Sequence, residues 1–324
     1  MILITGGTGF IGRHLVEAVC ARGEPLRCLI RRDSFKRHPL ALPDGAEIAF
    51  GDLVSGEGLN DALDGVDTVI HLAGVTKALS TSEFYSGNVR ATENLARAIA
   101  GSGVRLVHVS SQAAIGPSSD GTPVSDDAEP HPLTHYGRSK LEGERIVRAL
   151  VPDAVIVRPV VVYGPRDTDV LEMFKSISRG IVLEISGGER WFQAIYVKDL
   201  AEGLLAAACA PQAGGRAYFL AHAKAVSWSE LGSAAARIMR KRTHVLRIPA
   251  PLAYAVGGLA EVCSRLTGKP GIISREKVKE ARCSHWTCDT RRASQELGFE
   301  AQTPLELGLA RTLAWYKEAG WLKY

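Results

Sequence analysis

The chain has 324 residues, 46% of them hydrophobic and 23% charged, with 39 Lys and Arg against 35 Asp and Glu for a net charge of +4. That is globular composition, with material for one large α/β unit and a smaller lobe. The basic residues come in short clusters such as RRDSFKR (31–37) and RIMRKR (237–242), which argues against the long cationic face of a nucleic-acid binder. Cysteines at 20, 28, 209, 263, 283 and 288 have no paired spacing, the pattern of reduced thiols in a cytoplasmic protein rather than of a disulfide framework. CSHWTC (283–288) offers one histidine between two cysteines, too few ligands for a metal, and none is expected. The opening MILIT reads as a buried strand rather than a signal peptide. The longest apolar stretches, 200–210 and 251–262, are too short to span a bilayer. The second is expected to be a packed amphipathic helix, the alternative being a helix lying on a membrane surface.

Taken in chain order, apolar runs at 1–5, 26–31, 46–51, 67–73, 104–110 and 154–160 are predicted strands. Several are unbroken Val/Ile/Leu runs, as strands buried on both faces of a parallel sheet read. Helical patterns fall between them at 11–22, 58–64, 83–101 and 137–150. Repeated β-α units at this spacing predict an α/β fold, a Rossmann-type doubly wound parallel sheet. The Pro-rich segment 116–136 is long for a loop in a compact domain and is expected to be functional or mobile. Past residue 165 the pattern changes. Residues 1–165, with 192–222 returning to them, are predicted to form the nucleotide-binding domain. Residues 166–191 and 223–324 form a smaller, mainly helical substrate lobe.

ITGGTGFIG (4–12) places Gly6, Gly9 and Gly12 directly after the first strand, opening a helix with Phe10 and Ile11. Glycines there allow a tight turn and close approach to a pyrophosphate, and the helix N-terminus offers free N–H groups to it. At the tip of the second strand, CLIRRDS puts Arg31 and Arg32 where an acidic residue would hold a ribose hydroxyl. Arginine suits a 2′-phosphate, so NADP(H) is favoured. Asp33, one to three residues further on, leaves NAD(H) possible.

Tyr136 and Lys140 stand one helical turn apart in THYGRSK, after a serine pair in VSSQAAIGP (109–117) and before RPVVVYGP (158–165). A phenol has a pKa of ~10 and makes a poor base at neutral pH unless a cation lowers it. In this order, and with GDL (51–53), HLAG (71–74), NVRATENL (88–95) and YVKDLAEG (196–203), the chain resembles the extended short-chain dehydrogenase/reductase superfamily over nearly its whole length. The resemblance implies a homodimer through helices 83–101 and 137–150. It implies Tyr136 as acid/base, Lys140 as its electrostatic partner and ribose contact, and Ser111 as the holder of the substrate oxygen, with Ser110 the alternative. It further implies Asp52 and Leu53 near the adenine, Ala73 and Gly74 along the cofactor, and Pro159, Val160, Val161 and Val162 around the nicotinamide. Asn88 resembles a structural asparagine of the family.

Gln112 and Ala113 stand where sugar-nucleotide dehydratases of this type carry an Asp–Glu pair, which disfavours dehydration. The C-terminal half is similar to the 3β-hydroxysteroid dehydrogenase and dihydroflavonol reductase branch. Its apolar helix is expected to line a pocket for a hydrophobic alcohol or ketone. Gln112, Tyr163, Arg166, Arg190, Trp191 and Gln193 are the expected substrate contacts. A nucleotide-sugar epimerase with tightly held NAD is the alternative, and a non-catalytic nucleotide-binding subunit a further one. An Arg190 that reads a diphosphate would favour the epimerase.

Overall fold

The structure is a computed structural model that describes residues 1–37, 39–40, 42, 46–271 and 273–324. Its first six strands are β1 (Ile2–Thr5), β2 (Leu26–Ile30), β3 (Ala46–Phe50), β4 (Thr68–His71), β5 (Arg105–Val109) and β6 (Val155–Pro159). Between them run α1 (Phe10–Ala21), α2 (Arg32–Arg37), α3 (Leu59–Leu63), α4 (Thr81–Tyr85), a π-helical turn at Ser86–Arg90, α5 (Ala91–Ile99) and α6 (His135–Leu150). The charged run after β2 is the short helix α2, with Asp33 in its first turn and Lys36 and Arg37 in its last. Those charges complement the helix dipole.

There follow β7 (Val161–Tyr163), α7 (Asp169–Ser178), β8 (Ile181–Ile185), β9 (Trp191–Phe192), β10 (Ala194–Tyr196), α8 (Val197–Cys209), β11 (Ala217–Leu220), β12 (Val226–Ser227) and α9 (Trp228–Ile238). The chain ends in β13 (His244–Ile248), α10 (Ala250–Thr267), α11 (Arg275–Arg282), β14 (His285–Trp286), α12 (Arg291–Leu297) and α13 (Leu305–Glu318).

Seven strands form one parallel sheet in the order β11-β6-β5-β4-β1-β2-β3. The order reverses between β1 and β4, so a crevice opens at the carboxyl ends of those two strands. Both faces are covered, which explains the unbroken apolar runs. Leu15, Val16 and Val19 of α1 pack on one face with Leu200 and Leu204 of α8. On the other face lie Leu59 of α3, Leu95 and Ile99 of α5 and Val147 of α6. Each such side chain contributes roughly 1.5–3 kcal/mol when fully buried. A second cluster of buried side chains lies around Phe174, Phe192, Leu309, Leu313 and Tyr316.

The long segment 116–136 is tied to the lobe by backbone pairing. Ser118 N donates to His285 O at 2.9 Å, Val124 N to Thr287 O at 3.0 Å, and Asp289 N to Val124 O at 2.9 Å. The CSHWTC run is therefore a partner for this segment, with Cys288 buried and Cys283 half-buried.

Under α6 lies a buried ion pair. Arg158 donates to Glu144 through Nε at 3.0 Å and Nη2 at 2.7 Å, and to Asp126 O through Nη1 at 2.6 Å. Its guanidinium also sits 5.6 Å from the ring centroid of Phe219. Removing one partner leaves a buried, uncompensated charge, which costs roughly 3–5 kcal/mol. Arg158→Met is therefore expected to lower urea-unfolding stability by about that amount, and Arg158→Met with Glu144→Leu to recover most of it. A single-variant loss below about 1 kcal/mol would show that the pair does not hold this part of the fold.

Candidate active site

The turn after β1 is shaped for a close-lying ligand. Gly6 has φ +76°, a left-handed value that side chains resist. A Cβ on Gly12 would come within 2.1 Å of Gly6 O, so the helix can start this close to the turn only without one. Gly9 caps α1 with no side-chain hydrogen bond, which leaves the first N–H groups of the helix open to an anion. A dinucleotide pyrophosphate fits this cradle. The turn forms one end of a cavity of about 700 Å³ that runs along the carboxyl ends of β1, β4, β5 and β6 into the lobe. Gly6, Gly9, Phe10, Ile11, Gly12, Gly74, Tyr136, Lys140 and residues 159–162 are on its wall.

Arg31, Arg32, Asp52, Leu53 and Ala73 are not on that wall. Arg31 and Arg32 are exposed just beyond β2, and the Arg32 guanidinium lies 4.5 Å from the centroid of the Phe50 ring. Among the described residues neither arginine forms an ion pair. Asp52 accepts from Val54 N at 2.7 Å inside its own turn, Leu53 packs into the core, and Ala73 N donates to Thr5 Oγ1 at 3.2 Å.

At the catalytic end, α6 starts at Thr134, whose hydroxyl accepts from Gly137 N. This sets Tyr136 in the first turn and Lys140 one turn on, on the cavity side. Tyr136 and Ser111 both line the cavity, and the Ser111 hydroxyl favours the Tyr136 phenolate. Ser111 also caps a 3-10 turn through Ala113 N at 3.1 Å. Ser110, its buried neighbour, has a hydroxyl without a partner among the described residues. Burial pushes the Tyr136 pKa up, against the Ser111 hydroxyl and the Lys277 cation, and Glu280 and Asp169 push it further up. The phenol is thus in its proton-bearing form at neutral pH.

Lys140 is buried and donates to Val109 O at 2.7 Å. Burial lowers its pKa to about 8, with Glu144 acting in the opposite direction. Behind it the rings of His71 and His108 lie 5.4 Å apart, and burial, with the Lys140 charge second, holds both neutral; the His71 pKa is down at about 3. Asn88 sits in the π-helical turn, accepting from Val75 N at 2.7 Å and donating to Val75 O and Ser139 Oγ, each at 2.9 Å.

Of the expected substrate contacts, Gln112, Tyr163, Arg190 and Trp191 are on the cavity wall. Arg166 is not. It has φ +73°, and its side chain turns to Glu17 of α1 at 2.6 Å. Gln193 is also elsewhere, buried between His222 O, Ala223 O and Cys288 N. The Arg190 guanidinium donates to the carbonyls of Ile185, Ser186 and Gly188, so it clasps its own loop. The apolar helix α10 contributes nothing to the wall; its neighbour α11 does, through Lys277, Glu280 and Ala281.

Lys277 and Glu280 had no sequence signal beyond their one-turn spacing in SREKVKEAR. They pair at 2.8 Å, and the Lys277 ammonium lies 5.9 Å from the Tyr136 ring centroid. Burial would lower the Lys277 pKa, but Glu280, Tyr136 and Asp169 together raise it. Glu280 Oε1 also accepts from Thr134 Oγ1 at 3.1 Å, and Glu276 accepts from His135 N at 3.0 and 3.1 Å. Two carboxylates of the lobe thus sit at the N-terminus of α6, where the helix dipole favours them. Asp167 is a further wall residue, its carboxyl pushed up to about 7 by burial against hydrogen bonds from Asp169 N and Val170 N.

The Lys140 shift has a signed consequence. Its folded pKa of about 8 lies below the ordinary 10.5, so between those values unfolding takes up a proton. Stability of the unmodified protein relative to Lys140→Met should therefore rise from pH 8 to 10.5 and be flat below pH 8. Denaturant titrations across that range measure it; a flat difference would mean that Lys140 is not desolvated.

Residues 2–221 match the model of the NAD dependent epimerase/dehydratase family. A ceramide reductase of Caulobacter vibrioides is 33% identical over 322 residues, 99% of this chain and 96% of that protein. The 4-hydroxy-2-methyl-3-oxo-4-farnesyl-3,4-dihydroquinoline-1-oxide ketoreductase of Stigmatella aurantiaca is 30% identical, covering 94% and 93% of the two chains. The solved structure of MoeE5 in complex with UDP-glucose and NAD superposes with a TM-score of 0.77 at 28% identity, over 98% of this chain and 99% of that one. The nucleotide cradle, the Ser–Tyr–Lys cluster and these similarities agree: the chain belongs to the NAD-dependent epimerase/dehydratase family of extended short-chain dehydrogenases/reductases, a family of nicotinamide-dependent enzymes.

Proposed function

We propose that the chain reduces the ketone of a large hydrophobic substrate to a secondary alcohol, with NADPH favoured over NADH. One observation carries the substrate class. The cations at the substrate end of the cavity are already engaged: Lys77 pairs with Asp169, Lys277 with Glu280, and the Arg190 Nη atoms donate to three backbone carbonyls, which leaves its buried Nε without a partner among the described residues. A nucleotide diphosphate would have to break one of these, at a desolvation cost that a neutral ligand avoids. Much of the remaining wall is apolar, with Val170, Met173, Phe192, Trp228, Leu231 and Leu309, beside Asp167 and Thr168. The relatives named for ceramide reduction and for reduction of a farnesylated ketone support the same class, and a ceramide-type lipid ketone is the first to try.

In this reading the bound nicotinamide supplies the hydride to the carbonyl carbon. Ser111 donates a hydrogen bond to the carbonyl oxygen, steadying the negative charge that grows there. Tyr136 gives its proton to that same oxygen, which its proton-bearing form suits. Lys140, its ammonium near Gly74 and Asn88, holds positive charge beside the cofactor end of the cavity and favours the phenolate left behind. Lys277 does the same from the lobe side. Arg31 and Arg32, exposed and without ion pairs among the described residues, are the groups for a 2′-phosphate. Cytoplasmic residence and a homodimer through the α4–α5 run and α6, which lie side by side, belong to the same proposal; light scattering reads the second.

Tyr136→Phe is expected to lower kcat by about 10²–10⁴-fold with cofactor affinity nearly unchanged; retained turnover on a lipid ketone would remove Tyr136 from the proton step. Arg31→Ala should weaken NADPH binding at least about tenfold more than NADH binding. Equal losses in the two titrations would return the choice to NAD. Turnover of a nucleotide sugar with no activity on lipid ketones would replace the reductase reading with an epimerase.

A further inference from the structure

The helix α10 is built inside out. Ala253, Gly257, Glu261 and Ser264 recur at helical spacing and form its inward face. Glu261 accepts from Arg275 N at 2.8 Å and Nε at 2.9 Å, and Ser264 Oγ accepts from Gly271 N at 3.1 Å. Gly257 allows the close approach, since a Cβ there would lie 2.9 Å from Arg275 N. The opposite face carries Leu252, Val256, Leu259, Val262 and Leu266, and all are open to solvent, Leu259 at 67% and Leu266 at 82%. The strand that leads into this helix adds Val245 and Leu246, exposed at 46% and 53%, and its partner strand adds Leu183 at 54%. An exposed apolar stripe of this kind on a helix marks an interaction surface.

The charge around it says what the partner is. Residues 240–282 hold ten Lys and Arg (240, 241, 242, 247, 265, 269, 275, 277, 279 and 282) and three Asp and Glu (261, 276 and 280), a net of +7, so the other residues together carry −3 of the chain's +4. Arg240, Lys241, Arg242, Arg265 and Lys269 are exposed. Two copies meeting through this face would bring like charges together, which disfavours self-association. Among the described residues no helix is long and apolar enough to cross a membrane. An apolar stripe with flanking Lys and Arg, lying flat, is the arrangement of an interfacial helix.

We propose that α10 and the β13 ribbon form a docking surface for an anionic lipid bilayer, with Leu252, Leu259 and Leu266 entering the headgroup boundary and Arg265 and Lys269 meeting lipid phosphates. The inference does not depend on the proposed ketone reduction, and its test requires no turnover.

The test is co-sedimentation of the full chain with phosphatidylcholine vesicles, with and without phosphatidylglycerol. Binding should require the anionic lipid and weaken with salt, because exposed charges are screened. Leu259→Glu with Leu266→Glu should lower binding at least about tenfold, with the melting temperature and NADPH affinity retained. Arg265→Glu with Lys269→Glu should do the same, and carries the test if the first variant does not fold. No sedimentation with anionic vesicles, or equal binding by both variants, would overturn the proposal. So would a change from dimer to monomer in the leucine variant without vesicle binding by the unmodified chain, which would make the face a contact between copies.

Discussion

The paired charges of Arg158 and Glu144 hold α6, which carries Tyr136 and Lys140, where it is. Glu144 lies two turns beyond Tyr136 on α6, and Arg158 stands next to the last residue of β6, just before the stretch that walls the cavity. One bidentate contact, buried to 5% and 2% exposure, therefore fixes the distance between the two elements that frame the reaction site. The same guanidinium reaches Asp126 O, and Asp126 accepts from Phe219 N at 2.7 Å, so the long 116–136 segment and β11 are drawn into the network. In the interior such a pair is held by its hydrogen bonds more than by net Coulomb gain, and a missing member is costly.

The other end of α6 is held from the lobe. Glu276 and Glu280 of α11 meet the N–H and hydroxyl groups at the helix start. The cavity between domain and lobe is closed by contacts that also orient Tyr136. The result is a candidate site in which the charges of Lys77 and Lys277 are paired off. Lys140 is desolvated and faces Val109 O, the histidines behind it are neutral, and the cations of the lobe side are neutralised by neighbours. A low-polarity cavity strengthens the few interactions left in it, which suits the proton transfer proposed above.

What could be read from the sequence was what local pattern determines. Strands such as Thr68–His71 and Arg105–Val109 were legible because burial on both faces leaves unbroken apolar runs, and the glycine turn because its spacing has one main structural use. The placing of Ser111, Tyr136 and Lys140 on one cavity was legible as an ordered set of motifs. Arg166 was misplaced because its left-handed backbone, invisible in sequence, sends the side chain to Glu17. Glu276 and His135 meet across 141 positions, a pairing no local pattern encodes. The apolar stripe of α10 was visible too, but periodicity reports that a stripe exists and is silent about whether it faces inward.

That last point links the site to the surface. The helix α11 has one side on the cavity, through Lys277, Glu280 and Ala281, and the other against α10, through Arg275 and Glu261. A helix is about 10–12 Å across, side chains included, so the exposed leucines lie little more than one helix diameter beyond a layer that touches Tyr136. The contacts to α10 are polar and small: a glycine against backbone, one carboxylate on one arginine. Such an interface contributes little hydrophobic stabilisation, while the apolar side of the helix remains open to water. The exposed apolar side chains of α10 point away from the protein. The cavity and the exposed apolar stripe are thus two sides of the same pair of helices.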